Sequence, residues 1–100
     1  MIRHILLITF TDSAQPEQIQ AVRQAFLQIP DRIEGVTNVE WGINNSPEGK
    51  NSGFTHCVLM TFADEAARKR YLPHPAHDDL KTIFRPILRE IIVLDYTMEP

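Results

Sequence analysis

The segment from Ile2 to Thr11 is apolar on both of the faces that a β-strand would present. One face carries His4, Leu6, Ile8 and Phe10, and the other carries Ile5, Leu7 and Thr9. Successive side chains of a strand point to opposite sides, so both sides of this strand favour burial. The chain must therefore fold so that both faces of a sheet are covered at this strand.

The remaining segments define the fold class. Strand-like composition recurs at Val36–Ile43, Phe54–Phe62 and Glu90–Thr97, and helical spacing is found at Glu17–Ile29, at Glu65–Leu72 and from about Pro75 onward. Prolines at 30 and 73 are expected to end the first two helices. The order β-α-β-β-α-β predicts an α+β, ferredoxin-like protomer with an antiparallel four-stranded sheet. Residues 1–100 are expected to form a single domain, with the first and third strands central.

Helices from one copy of the chain can cover only one face of this sheet. The other face would expose several large aliphatic side chains, each worth roughly 1.5–3 kcal/mol on full burial. A patch of this kind usually marks a partner surface, which predicts a two-fold homodimer with sheets packed face to face. Extra loops are the alternative cover, but the one long loop, Asn44–Gly53, is short for that task.

Composition excludes several other classes of protein. A net charge of -3 gives no electrostatic footprint for nucleic acid, and the run Arg68–Arg70 is typical of a solvated helix face. No apolar run approaches the length of a membrane span. Cys57 is the sole cysteine, so no intramolecular disulfide forms. These features favour a cytoplasmic protein.

The chemistry-bearing residues concentrate at one corner, from Tyr71 to His77. This stretch holds two of the four histidines, a phenol and two prolines. His77 falls in the first turn of a predicted helix, whose N-terminus disfavours a positive charge, whereas Asp78 and Asp79 favour it. A neutral His77 could remove a proton next to a carbonyl group while the Tyr71 hydroxyl stabilises the developing oxyanion.

A structural interpretation of the same corner has comparable weight. In it, His74 caps the helix that follows it, and Tyr71 is a core aromatic residue. His4 and His56 shift the balance, because they lie on adjacent predicted strands and face an apolar interior. With the corner residues they predict a polar cluster in an apolar pocket, which suits a small apolar or carbonyl-containing ligand.

The sequence does not favour a cofactor or a metal. Glycine-rich phosphate loops and nucleophile-elbow motifs are absent. Histidines alone could bind zinc, but no carboxylate or thiolate stands at a convincing ligand spacing. Cys57 lies within a predicted strand and is not expected to be a nucleophile. The sequence predicts no tightly bound catalytic transition metal and no cofactor.

Several segments together resemble the stress-responsive dimeric α/β-barrel (Dabb) family. They are Arg3-His4, Val39–Gly42, Phe54–His56, the corner Tyr71…His74-Pro75-Ala76-His77 and Leu94–Thr97. The resemblance extends over nearly the whole chain. It implies a ferredoxin-like protomer and a dimer whose two sheets form a β-barrel.

The chain is also similar to a plant polyketide cyclase of that family at the same corner. By this resemblance His77 is the general base and Tyr71 its phenol partner. The candidate substrate-binding residues are His4, His56 and His74. The helix Glu17–Ile29, which would form one wall of the pocket, shows little similarity to that cyclase. The substrate of the cyclase is therefore not assigned to this chain.

Three functions remain open at this point. The first is a cofactor-free enzyme that catalyses proton transfer or cyclisation on a carbonyl compound. The second is a non-catalytic, stress-associated barrel that binds an apolar ligand or acts in an assembly. The third is cofactor-independent monooxygenation, which related dimeric barrels perform. Fold alone does not choose among them.

Overall fold

A four-stranded antiparallel sheet forms the frame of the computed structural model, which describes every residue from Met1 to Pro100. Its strands are β1 (Ile2–Phe10), β2 (Val36–Ile43), β3 (His56–Phe62) and β4 (Leu88–Thr97). They lie in the order β2-β3-β1-β4. The α+β ferredoxin-like fold and the central position of the first and third strands are therefore confirmed.

The helices pack on one face of this sheet. They are α1 (Pro16–Leu27), α2 (Ile29–Arg32), α3 (Glu65–Tyr71) and α4 (Pro75–Phe84), followed by a 3-10 turn at Arg85–Ile87. Asp64 caps α3 as expected, since its carboxylate accepts a hydrogen bond from the Ala67 amide at 2.9 Å. A continuous core of 19 buried residues lies between the helices and the sheet.

Several element boundaries differ from the sequence prediction, among them the end of the first helix and the starts of β3 and β4. The first helix ends at Leu27, and Pro30 lies in the first turn of α2, where its missing N–H group costs nothing. β3 begins at His56 instead of Phe54, because the Phe54 amide donates to the Asn51 carbonyl and closes the preceding loop. β4 begins at Leu88 instead of Glu90, directly after the 3-10 turn.

The opposite face of the sheet carries no helix. Leu7 of β1 pairs with Ile92 of β4, and both side chains are exposed, at 36% and 46%. Leu94 lies on the same face and is 59% exposed. The apolar face that the sequence predicts is thus present in the protomer. None of the helices has both the length and the apolar character needed to cross a membrane.

Candidate active site

A cavity of about 280 Å³ opens between the β1–β4 side of the sheet and helices α3 and α4. Most of its wall is apolar and includes Leu6, Phe26, Leu80, Phe84, Ile91 and Val93. Its polar side chains are His4, Tyr71, His77, Lys81 and Arg85. An apolar chamber with a few convergent polar groups is the usual form of a small-molecule site.

The hydrogen bonding of His77 fixes which ring nitrogen is free. Its Nδ1 lies 3.0 Å from the Leu72 carbonyl oxygen. A carbonyl can only accept, so Nδ1 carries the proton and donates it to this bond. Nε2 of the neutral ring is then left with a lone pair, which is the arrangement that a general base needs.

The pKa of His77 lies below its ordinary value. Burial is the largest cause, and the charges of Lys81 and His4 act in the same direction. The bond to Leu72 and the carboxylate of Asp78 oppose the shift without cancelling it. The lowered pKa favours the neutral imidazole, and its main cause is burial, which was not among the effects predicted from the sequence.

Tyr71 is almost fully buried, and its ring centroid lies 4.4 Å from that of His77. Burial raises the pKa of the phenol well above its ordinary value, so the hydroxyl keeps its proton. The hydroxyl has no hydrogen-bond partner in the protein. Every fully enclosed polar side-chain atom of the chain has such a partner, so the Tyr71 hydroxyl is not fully enclosed. Since Tyr71 lines the cavity, its O–H group is available to a ligand there.

His4 closes the third side of the polar cluster. Its Nδ1 lies 2.6 Å from a carboxylate oxygen of Asp95, and its ring packs edge-on against Tyr71 at a centroid distance of 5.8 Å. The second oxygen of Asp95 accepts from Arg68 at 3.3 Å. A carboxylate accepts, so Nδ1 of His4 donates to it, and Nε2 is the nitrogen left for a ligand.

Sequence reasoning missed Asp95 and Arg68, which support His4 from outside the lining of the cavity. His4 and Asp95 face each other directly in the β1–β4 ladder. The predicted fold already makes the first and last strands neighbours. A carboxylate on the last strand was therefore the signal from which a partner for His4 could have been predicted. The exact register that brings it opposite His4 does not follow from periodicity.

The structure places the other two candidate histidines outside the cluster. His56 shares the helix-covered face with His4, but it lies four residues along β3 from Met60, the residue opposite His4. That separation is about 13 Å. His56 instead packs against Phe10 and Trp41, and burial lowers its pKa.

His74 has a local structural role in the protomer. Its Nδ1 accepts a hydrogen bond from the Ala76 amide at 3.0 Å and so caps α4. This is the cap that the structural interpretation of the corner predicted. The cavity thus brings together His4, Tyr71 and His77, while His56 and His74 lie elsewhere.

No group of three or more His, Cys, Asp or Glu side chains is arranged to hold a metal ion. The Cys57 thiol lies outside the cavity, and burial and the nearby charge of Glu40 raise its pKa, which disfavours the thiolate. Acid–base chemistry by imidazole and phenol is what these side chains can perform.

The fold and this site define a class of small α/β-barrel domains. Residues 2–98 match the model of the Stress responsive A/B Barrel Domain family, Dabb. The chain belongs to that family.

Two plant proteins are similar in sequence over almost the whole chain. The stress-response A/B barrel domain-containing protein HS1 of Arabidopsis thaliana is 34% identical over 95 residues, which cover 95% of this chain and 87% of that protein. Olivetolic acid cyclase of Cannabis sativa is 25% identical over 96 residues, covering 96% and 95% of the two chains.

Solved structures show the same fold. At3g17210 of Arabidopsis thaliana superposes with a TM-score of 0.92 at 32% identity and covers 100% of this chain and 97% of its own. The hydroxynitrile lyase of Passiflora edulis gives 0.90 at 23% identity, with 98% and 93% covered. SnoaB, a cofactor-independent oxygenase of Streptomyces nogalater, gives 0.77 at 13% identity, with 99% and 93% covered.

Proposed function

We propose that residues 1–100 act as one cofactor-free, cyclase-like domain that transfers a proton on a small apolar carbonyl compound. His77 is the general base and Tyr71 the hydrogen-bond donor to the carbonyl oxygen. The observation that carries the proposal is the bond from Nδ1 of His77 to the Leu72 carbonyl, because it leaves Nε2 as an acceptor beside a protonated phenol.

The proposed step balances without an external reactant. Nε2 of His77 takes a proton from the carbon next to the carbonyl, and the C–H electron pair becomes the C=C bond of an enolate. The carbonyl oxygen gains the negative charge and accepts a hydrogen bond from Tyr71. In a cyclisation the enolate carbon attacks a second carbonyl carbon of the same molecule, and the imidazolium returns its proton to the new alkoxide.

The apolar wall supports this chemistry. A carbanion-like intermediate is short-lived in water, and a largely apolar chamber excludes water while it strengthens each hydrogen bond inside. The proteins similar to this chain include an olivetolic acid cyclase and a hydroxynitrile lyase. A single base and a hydrogen-bond donor are sufficient for both classes of reaction.

We propose in addition that the working unit is a homodimer built on the uncovered sheet face. Leu7, Ile92 and Leu94 form an apolar surface there that the protomer leaves exposed. Solved relatives of the same fold are described as dimeric ferredoxin-like proteins.

A reducing compartment such as the cytoplasm suits the free thiol of Cys57.

The test is the exchange of carbon-bound hydrogen for deuterium. A panel of alkyl ketones and β-keto esters is incubated in D2O, and loss of the α-hydrogen signal is followed by NMR. We expect His77→Ala to slow the enzyme-dependent exchange by about 10²–10⁴-fold. Tyr71→Phe keeps the packing and is expected to lose only the share contributed by the hydroxyl.

Gln24→Ala, an exposed change on α1, is the matched control and should exchange at the wild-type rate. Circular dichroism should show His77→Ala folded, with a stability loss of about 1 kcal/mol or less. Enzyme-dependent exchange that survives in His77→Ala would remove the assigned base. Binding of the same compounds with no exchange in the wild type would favour the non-catalytic barrel.

A further inference from the structure

The charged side chains of the cavity all carry the same sign. Lys81 and Arg85 line it, and no Asp or Glu does. The whole chain has a net charge of -3, so this cationic lining runs against the overall charge. An apolar chamber with positively charged groups at its edge is matched by a ligand with an apolar body and an anionic group.

The two cations follow His77 along one side of α4 and the turn after it. His77, Lys81 and Arg85 are spaced by four residues, or about 6 Å of rise per step. Both cations also line a shallower polar hollow next to the cavity, together with Asp78, Thr82 and Pro86. They therefore lie where the cavity meets solvent, one and two helical turns from the proposed base.

The charge balance at this opening amounts to one positive unit. Lys81 forms an ion pair with Asp78 at 3.1 Å, so most of its charge is compensated. Arg85 is exposed and has no carboxylate partner within the chain, whereas Arg32, Arg68 and Arg89 each have one. A single uncompensated guanidinium fits a monoanion such as a carboxylate better than a phosphate monoester, which carries about two charges.

We infer that the ligand of this cavity carries a carboxylate, which Arg85 binds at the opening with support from Lys81, while its apolar body enters the chamber. The substrate class is then an aliphatic or aromatic keto acid with several carbons between its two functional groups. The keto group in this assignment rests on the proposed function. The carboxylate site stands on the charge distribution alone.

Binding of three simple probes tests the inference without any turnover. Octanoate, octanol and octyl phosphate share one alkyl chain and differ only in the head group. Titration is followed by shifts of the backbone amide signals of α4 in NMR spectra. We expect wild-type protein to bind octanoate more tightly than octanol and at least as tightly as octyl phosphate.

Variants that keep the apolar part of each side chain locate the site. Arg85→Met should weaken octanoate roughly ten- to a hundred-fold, the range for loss of a charge-assisted hydrogen bond. Lys81→Met should weaken it less, because Asp78 already compensates that charge. Octanol binding should stay unchanged in both. Arg89→Met, which removes an exposed guanidinium paired with Asp12, is the control and should not alter octanoate binding.

Equal binding of octanoate and octanol, or an undiminished affinity in Arg85→Met, would overturn the inference. An equally large loss of octanoate affinity in Arg89→Met would show that binding depends only on the overall charge of the protein, and it would also overturn the inference. Clearly tighter binding of octyl phosphate than of octanoate would overturn the assignment of a carboxylate and favour a phosphate as the anionic group of the ligand. Octanoate binding that depends on Arg85, in a protein that exchanges no ketone hydrogen, would retain this site and remove the proposed function.

Discussion

At the scale of single residues, the state of His77 follows from the corner that precedes it. The last carbonyl groups of a helix have no partner within it, and Pro73 prevents α3 from continuing. The Leu72 carbonyl is therefore free to accept the proton of His77 Nδ1. Pro73 and the backbone carbonyl of Leu72, which have no acid–base chemistry of their own, thus select the tautomer that leaves Nε2 available.

The sequence singled out His4, Tyr71 and His77 as candidate site residues, and all three lie on the wall of the cavity. Tyr71 and His77 are close along the chain, and a helix break is readable from its prolines. The sequence predicted that His4 and His56 face one apolar interior, and both lie on the helix-covered face of the sheet. Side-chain alternation shows which face of the sheet a residue lies on, but not how far along the strand it lies. The sequence therefore predicted a single cluster of four residues, whereas the structure separates them into two places.

At the scale of elements, hydrophobic periodicity and the residues that begin or end helices and strands predicted the order of these elements. They failed where two signals coincide. A proline such as Pro30 can end one helix or occupy the first turn of another, and the sequence alone does not tell these roles apart. Strand starts at His56 and Leu88 depend on hydrogen bonds of the adjacent loops, which residue types alone do not specify.

The cap of α3 gives a prediction at this scale. Asp64→Ala removes the carboxylate that accepts the Ala67 amide, so the free energy of unfolding should fall by about 1 kcal/mol. Urea denaturation followed by circular dichroism measures it. Asp64→Ser retains a side-chain acceptor and should recover most of the loss. If Ala and Ser were equally stable, the cap would contribute nothing and α3 would be held by packing alone.

At the scale of the whole molecule, the uncovered sheet face is the surface on which the proposed homodimer depends. Leu7 lies near its centre on β1, and a charge there would be buried against a partner sheet. We therefore expect Leu7→Asp to be monomeric in analytical ultracentrifugation at micromolar concentration, while the wild type sediments as a dimer.

Ile83→Asp is the matched control, because Ile83 is 40% exposed on α4, on the helical side of the molecule. It should leave the dimer intact. A wild-type protein that sediments as a stable monomer would show that an apolar sheet face alone does not require a partner. This surface was predictable from the sequence because it depends on composition and on the number of helices, not on the details of register.

The most direct measurement is an NMR titration of the ring nitrogens of His77 in uniformly ¹⁵N-labelled protein, which needs no substrate. We expect a neutral ring at pH 7 with the proton on Nδ1, and a pKa below the ordinary 6.5. Since the unfolded chain binds this proton at higher pH than the folded protein does, the free energy of unfolding should fall as the pH falls below about 6.5. A proton on Nε2 at pH 7, or a pKa above 6.5, would contradict the assignment of His77 as the base.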